Sequence, residues 1–209
     1  MCVRIVLAFV ILTTVYDWYF PTIAVVFLAI LNDGCMISIS RDKVEPSANP
    51  NKWHSKSIFL CSLLYGTYLG VSTIVLYAIA AETTFFQDTF GLATLTPNEM
   101  TGLIYVHLSV GGLATIFITR SYSFSFLDRP GFLVICSFVG AQIVASVLGA
   151  YGLGNYHNFA GAGWGYVLVG WVWSIIWYIP MDLLKVAAYK IKDSYVWKHF
   201  VFHHKDYGV

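Results

Sequence analysis

Four stretches of this chain carry no charged residue at all: Ser57 to Ala81, Met100 to Thr119, Pro130 to Ala160 and Gly161 to Met181. A run of roughly 18 or more such residues is long enough to cross the hydrocarbon core of a bilayer as a helix. A soluble core of this size needs no uninterrupted apolar runs of that length. With 58% hydrophobic and 11% charged residues, the chain also stands far from the about 25% charge of a soluble domain. The runs are continuous rather than alternating, which argues against a strand barrel. The sequence therefore predicts an all-α fold, a polytopic transmembrane bundle of about six spans near 3–16, 21–40, 57–81, 100–119, 130–151 and 161–181.

The connectors alternate in charge. Arg41 to Lys56 holds Arg41, Lys43, Lys52 and Lys56, Arg120 to Arg129 holds two Arg, and the segment after Met181 holds five Lys. Glu82 to Glu99 holds three acids and no Lys or Arg, and Gly152 to Ala160 has neither cation. Placing all connector cations on one side makes that side cytoplasmic by the positive-inside rule. The C-terminus then lies inside, and Asp17 and Glu82–Glu99 outside. Lys185, Lys190, Lys192 and Lys198 suit anionic lipid head groups.

The first run is short. Ile5 to Tyr16 is 12 residues, or roughly 18 Å of helix against a core of about 30 Å. This leads us to expect a chain that begins inside a helix, as a fragment or a shortened form of a longer one. The apolar N-terminus runs on without a small-residue cleavage site, so no cleavable signal peptide is expected. Cys2, Cys35, Cys61 and Cys136 are spread without paired spacing, which predicts neither a disulfide framework nor a zinc site. The net charge of +1 gives no reason to expect nucleic acid as a partner.

Several features within the runs have ordinary explanations. Gly66 and Gly70, and Gly161, Gly163 and Gly165, recur at a spacing that lets helices approach closely. Trp164, Trp171, Trp173 and Trp177 crowd the last span, where some serve as interfacial anchors. His107, mid-span, is a candidate relay because histidine titrates near neutral pH, although hydrogen-bonded packing is the commoner use of a lone histidine. His199, His203 and His204 read as part of a solvated tail rather than a metal site.

The second run contains Asn32-Asp33-Gly34, turn chemistry set in an apolar stretch. A charge near the bilayer centre costs roughly 2.5–3.5 kcal/mol on insertion scales, and glycine adds up to about 1 kcal/mol of helix penalty. Together they predict a second span broken at Asn32-Asp33-Gly34 around a buried polar site, as transporters use to line an ion path. The alternative is two short segments with Asp33 in a wet loop. Arg4 is the second piece. Residues 4 and 33 are equidistant from the centre of the outer turn, the Tyr16 to Tyr19 cluster followed by Pro21, so an antiparallel hairpin puts them at one depth, about 21 Å inward. Paired there, Arg4 favours the ionised acid while desolvation favours the protonated one, a balance that suits a switchable proton site. The competing reading is an arginine that only snorkels to the interface.

The runs Arg4-Ile-Val-Leu-Ala-Phe, Ala29-Ile-Leu-Asn-Asp-Gly34, Ile39-Ser-Arg-Asp-Lys-Val44 and Pro46-Ser47 resemble the plasma-membrane proton-pumping P-type ATPases of plants, fungi and protists. Phe85-Phe86-Gln-Asp-Thr-Phe-Gly91, Thr119-Arg-Ser121, Ser123-Phe-Ser-Phe126, Arg129-Pro-Gly131, Gly163-Trp-Gly165 and Pro180-Met-Asp182 extend the likeness to about Lys192. The resemblance implies that residues 1–192 are the C-terminal transmembrane domain of such a pump, the fifth to tenth of its ten helices, with 193–209 a short cytoplasmic tail. It implies that Asp33 takes and releases the transported proton, that Arg4 assists release and blocks back-flow, and that Asn32 flanks the site. It further implies a plasma-membrane location, protons, the lipid bilayer and the N-terminal part of the pump as partners, and ATP and Mg acting on domains outside this chain, which itself takes no cofactor. Homo-oligomerisation stays open.

The chain departs from the family in three places. It has no Asp-Lys-Thr-Gly phosphorylation motif, it carries Cys35 where threonine is usual, and it ends in Asp206-Tyr207-Gly208-Val209 rather than a long regulatory tail. On these residues alone the chain is expected not to hydrolyse ATP. A truncated, non-catalytic membrane partner and a passive proton conductor therefore stand beside the transport module as readings of the same sequence.

Overall fold

The computed structural model describes residues 2–39, 55–120, 131–155 and 159–193. The connector cations Arg41, Lys43, Lys52 and Arg129, and the tail from 194 with Lys198, His199, His203 and His204, lie outside the described residues. Helices α1 (Cys2–Tyr16), α2 (Thr22–Ile39), α3 (Ser55–Glu82), α5 (Pro97–Arg120), α6 (Phe132–Tyr151) and α7 (Gly163–Asp193) lie over the apolar runs. Two small elements sit between them: α4 (Phe85–Phe90) and β1 (Gly152–Asn155), which meets Ala160 in an isolated antiparallel bridge. Helices α3, α5, α6 and α7 are long and apolar enough to cross a membrane; α1 and α2 are shorter apolar helices. The molecule is a helical membrane bundle, as the runs predict.

Its axis is α5. Of that span 78% is buried, against 39% or less for α3, α6 and α7. Helices α2, α3, α6 and α7 all pack on α5, while α1 packs on α3. The start of α5 is set by local chemistry. Proline at the first helical position has no N–H to leave unpaired, and Thr96 and Glu99 form a capping box. Glu99 Oε2 accepts from the Thr96 amide at 2.8 Å and its hydroxyl at 2.9 Å, and the Glu99 amide donates to Thr96 Oγ1 at 3.4 Å. Trp18, in the turn between α1 and α2, donates from Nε1 to the Pro97 carbonyl at 3.0 Å and so ties that turn to the same end of α5.

Small residues set the α1–α3 approach. A Cβ at Gly66 would stand 2.8 Å from Val3 Cβ, and one at Gly70 2.9 Å from Leu7 Cδ2. With no hydrophobic drive between helices in lipid, such close backbone packing is the main source of association.

Two expectations from the sequence are corrected. Helix α2 runs unbroken through Asn32, Asp33 and Gly34. An open turn among apolar groups leaves backbone N–H and C=O unpaired at several kcal/mol each, whereas Asn, Asp or Gly inside a helix costs at most about 1 kcal/mol each. The backbone term wins. The last helix, expected to end near 181, continues through Pro180 to Asp193. Asp182 and Lys185 pair on its face at 2.9 Å, and Lys185 Nζ also donates to the Ile118 carbonyl of α5 at 3.3 Å. Lys185 is fully buried, not at the lipid head groups, because this pair lets it dock on the closing turn of α5, where the helix dipole favours a cation.

Candidate functional site

Asp33 lies on the outward stripe of α2. The face formed by Ala24, Leu28, Cys35 and Ser38 is buried in the bundle, while Val26, Ile30, Asp33, Met36 and Ile37 are exposed. Asn32, half-buried, stands at the edge between the two faces. Asp33 is thus a carboxylate on an otherwise apolar exposed surface, and among the described residues no cation pairs with it.

Arg4 points elsewhere. It is 1% exposed and enters the space between α1, α3 and α5. Its Nε and Nη2 donate to Thr73 Oγ1 at 3.4 and 3.3 Å, Nη2 also to the His107 carbonyl at 3.2 Å, and Nη1 to the Leu108 carbonyl at 3.3 Å. Thr73 accepts both bonds while its own hydroxyl donates to the Leu69 carbonyl at 2.9 Å. Gly111 makes the space: a Cβ there would stand 2.9 Å from Arg4 Nη1. The depth-matched ion pair expected between Arg4 and Asp33 does not form in this arrangement. An antiparallel hairpin fixes their depth along the helices but not their direction. Helix α1 packs on α3 rather than flat against α2, which turns Arg4 inward to α5 and leaves Asp33 on the far side of α2. The arginine does not snorkel either, since neutral oxygens inside the bundle satisfy it.

His107 adjoins this cradle and is completely buried. Its Nδ1 lies 2.8 Å from Ser174 Oγ on α7, and its Nε2 lies 3.4 Å from Ser72 Oγ on α3. Ser174 donates to the Gly170 carbonyl at 2.7 Å. Trp173 Nε1 donates to Ser72 Oγ at 3.2 Å and to the Ser72 carbonyl at 3.3 Å. The result is a buried polar network that joins α1, α3, α5 and α7. Ser72, Thr73 and Ser174 escaped sequence reasoning, because a serine or threonine in an apolar run is indistinguishable from one bonded to its own helix until its neighbour is known. Among the described residues no group of His, Cys, Asp and Glu could hold a metal ion.

Among the described residues, four apolar helices long enough to cross a bilayer, with a carboxylate on a shorter apolar helix beside them and an arginine sealed inside, define an integral membrane protein of the helical-bundle class. No family model matches the chain. It is 46% identical over 201 residues to a probable plasma membrane ATPase of Dictyostelium discoideum, a match that covers 89% of this chain and 19% of that protein. The chain is thus homologous to one portion, about a fifth, of a plasma-membrane ATPase, in agreement with the resemblance carried by its motifs, and its helices identify that portion as membrane-embedded.

Proposed function

We propose that the chain is the membrane transport part of a P-type ATPase of the plasma membrane that exports protons, with Asp33 the group that takes up and releases the proton. The observation that carries this reading is Asp33 itself, a carboxylate on the apolar stripe of α2 in a chain homologous to a plasma-membrane ATPase. A charge on such a helix costs roughly 2.5–3.5 kcal/mol at the bilayer centre, and no structural partner among the described residues offsets that cost. Its presence there favours a group whose task is to change charge. Asn32, one residue away, is an uncharged donor and acceptor at the same level. Arg4 assists release by its field rather than by contact, since its hydrogen bonds hold it on neutral oxygens of α3 and α5. A guanidinium in low-dielectric surroundings acts over longer distances than in water, and it raises the cost of a second positive charge passing back.

In this reading ATP and Mg act on parts of the polypeptide beyond these residues, and the basic connectors and the C-terminus face the cytoplasm. The test is ATP-driven proton flux into vesicles that hold this chain together with the ATP-hydrolysing parts of the pump. Asp33→Asn, nearly isosteric and unable to ionise, is expected to abolish it. Flux at the wild-type rate in that variant overturns the assignment.

A further inference from the structure

The hydrogen bonds around His107 run in one direction and assign its tautomer. Ser174 spends its hydroxyl proton on the Gly170 carbonyl at 2.7 Å, so at 2.8 Å from His107 Nδ1 it can only accept. Nδ1 therefore carries the proton. Nε2 is then the acceptor, and Ser72 turns its hydroxyl to it at 3.4 Å while its lone pair takes the Trp173 indole N–H at 3.2 Å. The chain reads Trp173 to Ser72 to His107 to Ser174 to Gly170, with the Trp173 N–H shared between the Ser72 hydroxyl and carbonyl. A neutral imidazole has one donor and one acceptor, which is what these two serines require.

That ring sits on the residue whose backbone carbonyl accepts from Arg4, and the next carbonyl, of Leu108, accepts as well. The ring is bolted to α7 on one side and α3 on the other. The α3 bolt, Ser72, is the neighbour of Thr73, which takes the remaining two Arg4 bonds. One buried polar unit thus holds both walls of the guanidinium cradle.

We propose that His107 is a positioning residue for Arg4: held as the Nδ1–H tautomer between Ser174 and Ser72, it keeps the carbonyls of residues 107 and 108 and the hydroxyl of Thr73 in register around the guanidinium, and so keeps that cation away from the Asp33 face of α2. His107 in this role keeps its Nδ1 proton and relays none. The proposal rests on the transport reading only for its consequence, since the clamp itself stands on the hydrogen-bond geometry.

The experiment has two readouts on the protein in lipid nanodiscs or vesicles. The first is nitrogen NMR of labelled histidine and arginine. His107 is expected to show a protonated Nδ1 and an unprotonated Nε2. In His107→Phe, which fills the site without hydrogen bonds, exchange of the Arg4 Nε–H is expected to accelerate by about tenfold or more as the cradle opens locally. His107→Asn, whose amide can still donate toward Ser174, is expected to restore most of the protection, and Ser174→Ala to lose part of it in an otherwise intact site. A protonated Nε2 in the wild type, or Arg4 exchange unchanged in both His107→Phe and Ser174→Ala, overturns the proposal. The second readout is passive proton back-leak through the vesicles, expected to rise in His107→Phe and to return toward wild type in His107→Asn. If Arg4 protection falls as stated while Asp33→Asn leaves ATP-driven flux intact, the clamp stands and the transport reading fails. If Asp33→Asn abolishes flux while Arg4 protection never changes, the reverse holds.

Discussion

Arg4 is a cation surrounded by oxygens that bear no charge. Four hydrogen bonds orient it, yet among the described residues no carboxylate balances it. Desolvating a guanidinium costs several kcal/mol, and replacement of buried charges by apolar groups of similar size is often neutral or stabilising. Arg4→Met should therefore leave the bundle as stable as the wild type or more so. The acceptors left behind do not become orphans: Thr73 still bonds Leu69, and the carbonyls of 107 and 108 remain within α5. Thermal unfolding in detergent measures this. A loss of about 3 kcal/mol or more, the scale of breaking a buried charge pair, would show that Arg4 is a structural strut and not a cation kept for its charge. Asp33→Asn belongs to the same scale, with loss of flux and no loss of stability expected, because the side chain is exposed on α2 and makes no bond among the described residues.

At the scale of elements, α2 and the α1–α3 pair give opposite expectations for glycine. Nothing lies within 4 Å of a Cβ placed at Gly34, and the residue is inside a continuous helix. Gly34→Ala is expected to stabilise α2 by up to about 1 kcal/mol. A destabilisation instead, read from the same unfolding curve, would mean that α2 unwinds at Asn32–Gly34 in the working protein. Gly70 stands against Leu7 across the α1–α3 seam. Gly70→Leu forces that seam apart and is expected to cost about 1–3 kcal/mol, the range for overpacking a close contact. A change within 0.5 kcal/mol, the usual spread of surface substitutions, would place α1 and α3 farther apart than in this structure. The proline in α7 is absorbed at this scale too. Pro180 has no N–H for the Ile176 carbonyl, and in the same turn Tyr68 of α3 donates to the neighbouring Trp177 carbonyl at 3.1 Å, a bond from another helix that helps hold the loosened turn.

The whole molecule is a bundle with one enclosed axis and several open faces. The exposed residues of α1 and α2, among them Val6, Val10, Ile30 and Ile37, meet lipid or further helices, and Asp33 lies within that surface. Orientation belongs to this scale. The acidic α4 connector, with Asp88 exposed and bonded to Thr84 at 2.8 Å, belongs outside if the basic connectors are cytoplasmic. Asp88→Cys on intact cells is expected to react with a membrane-impermeant thiol reagent, and Lys192→Cys to react only after permeabilisation. The opposite labelling pattern would invert the topology and place proton release on the wrong side of the proposed pump.

Much of this protein was legible in one dimension. The apolar runs located the long helices because a membrane span needs length and lack of charge, both of which are local. The start of α5 lies at Pro97, three residues before the expected 100, because the Thr96–Glu99 capping box and Pro97 fix it locally. Asp33 and Arg4 were conspicuous because each is costly where it stands. The direction a side chain takes around its helix was not legible, because it depends on which neighbour the helix chooses. Only the packing of α1 on α3 turned Arg4 toward Thr73 and the carbonyls of α5 instead of toward Asp33. Only the convergence of α3, α5 and α7 made Ser72, His107 and Ser174 into one network. The same packing brought Lys185 onto Ile118 and carried α7 past the point where its composition said to stop. Sequence determined which segments must be helices and which charges needed a reason. Tertiary structure decided the partners, because hydrogen bonds and ion pairs form across helices at about 3 Å, a distance that spacing along the chain does not encode.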